Sequence, residues 1–223
     1  MKKVNIAIDG PAGAGKSTIA KIVSNTLGIL YLDTGAMYRT VALKAIRQGI
    51  DTLDREALTE MVEKIDIKIK YAGSEQHIFL DGEDVSSSIR TPEVSIGASN
   101  VAVVPAVRMK MVEIQRAIAE ENSVVMDGRD IGTFVLPNAD VKIFLTASVE
   151  ERAERRYREQ LEKGIASISL EDVKRDIQYR DKNDSSRDFA PLSKAADALE
   201  IETTNMSINE AAQEIISIIK DKG

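Results

Sequence analysis

A chain of 223 residues with 43% apolar and 30% charged side chains, no cysteine and a single histidine, His77, excludes disulfide scaffolds, Cys/His metal clusters and thiol nucleophiles. The formal net charge of −6 argues against a general nucleic-acid or membrane-surface binder, because sequence-independent attraction to a polyanion needs a cationic field; an anionic ligand therefore needs a local arginine cluster. No run approaches the roughly 18 consecutive apolar residues of a membrane span, and Met1-Lys2-Lys3 passes too soon into acidic sequence for a signal peptide, so the expected location is the cytoplasm.

Val4, Ile6 and Ile8, with Ala7, predict a short buried strand, ended by the turn-rich Asp9-Gly10-Pro11-Ala12-Gly13-Ala14-Gly15. Ile19, Ile22, Val23, Thr26 and Leu27 then fall at helical spacing from Ser17 onward, with Gly28 as the stop. Ile29-Leu30-Tyr31-Leu32 reads as a second buried strand, and Asp33-Thr34-Gly35 opens a helix reaching about Gln48. From Ile65 the period becomes two: Ile65, Ile67, Ile69 and Tyr71 alternate with Asp66, Lys68 and Lys70, and the chain turns at Ala72–Glu75 into His77–Gly82. That pattern predicts a β-hairpin with one wet face, an insertion with its own small sheet, in which His77 is an ordinary strand residue. Helical spacing resumes at Val94–Val101 and after Pro105, where Val107, Met111, Ile114 and Ile118 repeat. Ser123–Met126 and Val141–Leu145 predict two more buried strands, and Ala198-Leu199-Glu200-Ile201 reads as the last strand of the series. Ser148-x-x-Glu151 and Ser207-x-x-Glu210 have the form of capping boxes, the first opening an arginine-rich helix. Asp181–Arg187 reads as a polar loop after a helix. Serial βα units of this kind predict an α/β protein, a three-layer α/β/α sandwich around a central parallel five-stranded sheet.

Gly10-Pro11-Ala12-Gly13-Ala14-Gly15-Lys16-Ser17-Thr18 satisfies the P-loop pattern in its proper setting, after an apolar strand and opening a helix. Glycines let successive amides turn inward around phosphate oxygens, and the helix N-terminus adds partial positive charge. Lys16 is then placed for the β- and γ-phosphates and the Ser17 hydroxyl for Mg²⁺. Guanine-nucleotide switch residues are missing: no Asp is followed by Gly three positions on, and no Asn-Lys-x-Asp occurs. Asp127-Gly128-Arg129-Asp130 follows a predicted strand, so its polar groups should emerge beside the P-loop. Arg129 offers a bidentate fork for phosphate; Asp127 or Asp130 is suited to hold Mg²⁺ through water or to accept from a base amino group. Arg152, Arg155 and Arg156 fall near one helix face, followed by Lys163–Ser167 as a hinge, so they are expected to close over a phosphate.

The P-loop, Leu32-Asp33-Thr34-Gly35-Ala36-Met37-Tyr38-Arg39, Asp81-Gly82-Glu83-Asp84-Val85, Asp127-Gly128-Arg129-Asp130-Ile131-Gly132-Thr133, and Arg180-Asp181 with Arg187 and Ala190-Pro191-Leu192 together resemble the bacterial cytidylate kinases, in order and over essentially the whole chain. The resemblance implies a P-loop nucleoside-monophosphate kinase with a core over approximately residues 1–35, 105–148 and 190–223, a small inserted β-containing NMP-binding domain over 36–104, and a helical lid over 149–189. It implies transfer of the γ-phosphate of ATP to CMP or dCMP in pyrimidine nucleotide metabolism, with Mg²⁺ accompanying ATP, by a monomer that engages neither nucleic acid nor membrane. ATP would lie on Gly10 to Thr18, that is Gly10, Pro11, Ala12, Gly13, Ala14, Gly15, Lys16, Ser17 and Thr18, with Lys16, Arg129, Arg152 and Arg156 as catalytic cations. Carried over by position, Arg39, Arg129 and Arg187 would hold the CMP phosphate, Ser99, Arg108 and Asp130 would read cytosine, and Arg180 and Asp184 would contact the ribose. Thr34 and Tyr38 would complete that site, and Ser17 and Asp127 the metal's. The competing readings are another small-molecule P-loop kinase and a non-catalytic ATP-binding regulatory module.

Overall fold

The computed structural model describes residues 3–162, 164 and 169–222, so the expected hinge at Lys163–Ser167 lies, apart from Gly164, outside the described residues. β1 (Asn5–Asp9) is apolar on both pleat faces because both are covered. Ile6 and Ile8 pack with Ile19, Ala20 and Val23 of α1 (Lys16–Leu27), whereas Ala7 faces the opposite layer. β2 (Leu30–Asp33) runs directly into α2 (Thr34–Arg47), which begins where it does because the Asp33 carboxylate accepts the Ala36 N–H at 2.8 Å. A helix that the sequence reading does not anticipate follows, α3 (Arg55–Glu63); it buries only Leu58, Met61 and Val62, too few positions for a clear period.

β3 (Ile67–Ala72) and β4 (Glu75–Leu80) form the expected antiparallel hairpin, extended by a two-residue β5 (Glu83–Asp84). Ile67, Ile78 and Leu80 join the same apolar cluster as Ala7, Leu32 and Met126, so the insert shares the main core. The hairpin also fastens to the edge of the main sheet: the Tyr71 hydroxyl donates to the Tyr31 carbonyl at 3.0 Å, and Gln76 Oε1 accepts the Asp33 N–H at 2.8 Å. α4 (Pro92–Val101) and α5 (Pro105–Glu121) each start on proline, which fits the first helical turn.

β6 (Val124–Gly128), β7 (Val141–Thr146), α6 (Val149–Glu162), α7 (Leu170–Ser186), β8 (Leu199–Glu202) and α8 (Ile208–Lys222) complete the chain. The main sheet has the order β2-β6-β1-β7-β8 with every neighbouring pair parallel. α2 and α5 cover one face and α1 and α8 the other, as the three-layer expectation requires. Its register sets Asp33 beside Asp127 and Asp9 beside Gly128, so three strands end in carboxylates along one edge. No helix among the described residues is long and apolar enough to cross a membrane.

Two local readings need correction. Asp181–Ser186 is not a loop: α7 runs through Ser186, and Arg187 follows it directly. The helix escaped notice because its inner face there carries Asp184, paired with arginine, in place of an aliphatic side chain. Only one of the two capping boxes closes. Ser207 and Glu210 cap each other reciprocally, but Glu151 turns its carboxylate to Arg155, leaving the Ser148 hydroxyl as a one-sided cap.

Candidate active site

Residues 10–15 link β1 to α1 as a tight loop before the helix N-terminus, which Lys16, Ser17 and Thr18 open. Gly10 is required by contact: its φ is +148°, and a Cβ there would stand 2.1 Å from the Leu145 carbonyl oxygen of β7. Lys16 folds back over the loop and donates to the Pro11 carbonyl at 2.6 Å. Burial and the neighbouring Arg129 charge pull the Lys16 ammonium well below its ordinary value, against Asp127, Asp184 and Asp9. Ser17 Oγ donates to Asp127 Oδ2 at 2.7 Å, and Asp127 Oδ1 accepts from the Tyr31 hydroxyl at 2.9 Å.

Facing the loop is a cleft of about 920 Å³ lined by Lys16, Arg39, Arg129, Arg156, Arg180 and Arg187 among others. In a chain of net charge −6, this is the local cation cluster that an anionic ligand demands. Arg129 is anchored on Asp184 (Nε to Oδ2, 2.6 Å) and on the Gly128 carbonyl (3.2 Å). Burial alone would raise the Asp184 carboxyl, but Arg129, Arg187 and Arg180 hold it below the usual carboxylate range. Arg180 finds no hydrogen-bonding partner among the described residues. Burial, together with Arg129, Arg156 and Arg39, brings its guanidinium down to about 10, against the pull of Asp184. Arg39 is held by Asp33 at 2.8 Å, yet its Nε is buried without an acceptor, as are Arg187 Nη2 and Arg108 Nε. Buried donors normally find acceptors, so the cleft is short of negative charge.

At the cleft's far end Arg108, 1% exposed, pairs with Asp130, 4% exposed, and its guanidinium lies 5.7 Å from the centroid of the Tyr38 ring. Ser99 of α4 also lines the cleft and accepts from Asn183 Nδ2 of α7 at 3.3 Å. Thr34 lines it too, with its hydroxyl donating to the Asp127 carbonyl at 2.6 Å.

The three arginines of α6 do not act as one face. Arg156 lines the cleft and pairs with Glu159 at 2.8 Å. Arg155 also reaches the cleft, but its guanidinium is tied to Glu151 and to the carbonyls of Thr203 and Met206. Arg152 departs most from expectation: it does not line the cleft, because its guanidinium turns inward to Ala12, Ala147 and Asp181. Sequence reasoning also passed over Asp33, the partner of Arg39, and Arg90, which lines the cleft. Asp33 was detectable as the residue that ends an apolar strand and caps a helix; Arg90 has no local signal.

Asp9 ties the P-loop to the turn after β6 by accepting the N–H groups of Ile131 at 2.8 Å and Gly132 at 2.7 Å. Burial pushes its carboxyl from 3.8 up to about 6, against those amide bonds and Lys16. The folded value lies above the unfolded one. Between about pH 4 and pH 6 the folded chain therefore keeps a proton that the unfolded chain has lost, and this group's contribution to stability falls as pH rises through that window. Asp9→Asn is expected to flatten that part of the stability curve and to cost about 1–3 kcal/mol at neutral pH, because one amide oxygen must serve two N–H donors. Urea denaturation at about pH 4.5 and about pH 7 measures both effects.

A phosphate-cradling loop at the carboxyl edge of a parallel sheet, opposed by guanidinium groups across a cleft, defines a P-loop kinase. The family model described as Cytidylate kinase matches residues 6–221. The cytidylate kinases of Caldicellulosiruptor bescii and Bacillus cereus are 50% and 53% identical to this chain over 218 residues, 98% of this chain and 96% of each relative. The chain belongs to the cytidylate kinase family. The crystal structure of an uncharacterized protein from Eubacterium ventriosum, 14% identical with a TM-score of 0.53 and covering 98% of this chain and 99% of that one, is similar in fold alone.

Proposed function

We propose that the protein transfers the γ-phosphate of ATP to CMP or dCMP, releasing ADP and CDP or dCDP. The observation that supports this most directly is Arg180, a half-buried guanidinium set among Arg39, Arg129 and Arg156 with no hydrogen-bonding partner among the described residues. A guanidinium left without an acceptor among like charges favours an anionic ligand, and the P-loop opposite supplies the place for a second anion.

A phosphate oxygen of CMP forms the new bond to the γ-phosphorus while the bond from that phosphorus to the bridging oxygen of ADP breaks. The nucleophile is already anionic, so no strong base is required, in keeping with a chain whose one histidine sits in the β3–β4 hairpin. The protein's work is in-line positioning and charge neutralisation. In this reading Lys16 and the P-loop amides hold the triphosphate; Arg39, Arg129 and Arg187 hold the acceptor phosphate; Arg156 meets the transferring group; Arg180 and Asp184 orient the ribose. Arg108, Asp130, Ser99 and Tyr38 form the base pocket, where an acceptor oxygen of Asp130 meets the exocyclic amino group of cytosine.

The oxygen pair Ser17 Oγ and Asp127 Oδ2, 2.7 Å apart beside the P-loop, fits Mg²⁺, which favours one or two protein oxygens together with substrate phosphate and water. When bound there, the ion supplies charge neutralisation for the phosphates. The same reading divides the chain into a core (1–35, 105–148, 190–223), an acceptor-binding segment (36–104) and a lid (149–189), acting as a cytoplasmic monomer.

The test is ADP release with CMP, dCMP, UMP, AMP and shikimate as acceptors, together with calorimetric titration of each. Transfer to CMP and dCMP far above the others is expected. Preference for another acceptor would make this a different small-molecule kinase, and ATP binding without transfer to any acceptor would make it a regulatory module.

A further inference from the structure

α6 and α7 both hydrogen-bond to the P-loop at Ala12. Arg152 Nη1 donates to the Ala12 carbonyl at 2.8 Å and to Asp181 Oδ2 at 2.7 Å, while its Nε donates to the Ala147 carbonyl just beyond β7 at 3.0 Å. Asp181 Oδ1 in turn accepts the Ala12 N–H at 3.3 Å. Both backbone polar groups of Ala12 are thus held by one charged pair drawn from two helices. Arg152 is 4% exposed and Ala12 2%. The next residue shows how closely the helices press: a Cβ on Gly13, whose φ is +78°, would lie 3.0 Å from the Arg152 carbonyl oxygen and 3.4 Å from Ile177 Cδ1. On the other side Lys16 holds the Pro11 carbonyl, so the segment 11–13 is gripped from both flanks.

We propose that Arg152 and Asp181 are positioning residues that act as one clamp on Ala12, setting the shape of the P-loop where it receives the triphosphate and joining it rigidly to the helices that bear Arg156, Arg180 and Asp184. The clamp rests on the phosphoryl-transfer reading above, within which it moves Arg152 from a charge facing the transferring group to a brace behind the loop. A carbonyl and an amide from one residue need a donor and an acceptor side by side, and an Arg–Asp pair presents both on a fixed planar fork. Arg152 is buried and Asp181 half-buried, so removal of Asp181 leaves a buried charge uncompensated, and removal of either partner releases Ala12. Loss of either half therefore has the same consequence for the loop.

Misplacing a reacting group by about 1 Å can cost about 10²-fold in rate, so Asp181→Ala and Arg152→Ala are each expected to lower kcat/KM for ATP by about 10- to 100-fold. The Asp181 charge also acts on Arg129, so CMP affinity is the necessary control. By calorimetry it should stay within about threefold of wild type in both variants. The double variant should be no worse than the poorer single one, the mark of residues acting as a unit. Asp181→Asn and Arg152→Lys guard against failure to fold: each should give an intermediate ATP defect, and each should speed hydrogen exchange at the Ala12 amide while leaving the central strands protected. Additive single-variant losses, a parallel fall in CMP affinity, or ATP kinetics and Ala12 exchange within about twofold of wild type would each overturn the clamp. If the wild-type enzyme transfers phosphate to no cytidine monophosphate, the functional reading fails instead, while ATP titration and Ala12 exchange still decide the clamp.

Discussion

Arg129→Ala should lower turnover with CMP by about 10³-fold or more while leaving the fold intact, since an arginine that meets transition-state charge in phosphoryl transfer is worth that much. The geometry explains why this side chain is singled out from the nine arginines that line the cleft. Its guanidinium plane is set by Asp184 on one side and by the Gly128 carbonyl on the other, so its remaining N–H groups are oriented before any substrate arrives. Preorganised donors of this kind need no rearrangement as charge develops. Removing Arg129 does not strand Asp184, because Arg187 stays within 3.8 Å and Arg180 acts on it as well. Arg129→Lys keeps the charge but not the fork and should recover only part of the loss. Steady-state kinetics together with thermal unfolding decide the matter: near wild-type turnover, or loss of activity only in step with loss of fold, would remove Arg129 from the chemistry.

The second large effect concerns the choice of base. Asp130→Asn should lower kcat/KM for CMP by at least about 10²-fold and raise UMP relative to CMP, because a site built to accept a hydrogen bond rejects the analogue that cannot donate it by about 10⁴–10⁵. The carboxamide adds an N–H₂ group that repels the cytosine amino group and suits the uracil carbonyl. Arg108 would at the same time lose its buried anionic partner, and removing one member of such a pair costs about 3–5 kcal/mol. Titrations with CMP and UMP, read beside urea denaturation, separate the two consequences. An unchanged CMP-to-UMP ratio in a folded variant would place base reading elsewhere.

Elements whose signal is local were legible. The P-loop is a run of consecutive residues whose backbone geometry is dictated by glycine at fixed positions, and the Leu145 carbonyl beside Gly10 supplies the steric reason. Four buried strands stood out because a sheet covered on both faces leaves an uninterrupted apolar run, whereas the edge strand β8 buries only Ile201. Asp127, Arg129 and Asp130 were placed beside the P-loop by one inference, that strand ends in a parallel sheet share an edge, and the β1–β6 register bears this out. The end of α7 was not legible. Hydrophobic period reports a buried face only when its surroundings are apolar, and Asp184 is buried against guanidinium groups.

Arginine direction was the other loss. Helical spacing put Arg152, Arg155 and Arg156 near one side, yet their long side chains diverge toward the P-loop, the loop before α8 and the cleft. Each follows its acceptor, and those acceptors belong to segments remote in sequence. By itself, then, the order of residues determined the strand–loop–helix cradle for phosphate, the parallel sheet and the family motifs, because each depends on neighbours along the chain. Only the tertiary structure decided which cations face the cleft and which brace it, because a flexible charged side chain takes its direction from whichever opposite charge or carbonyl the fold brings within about 3 Å.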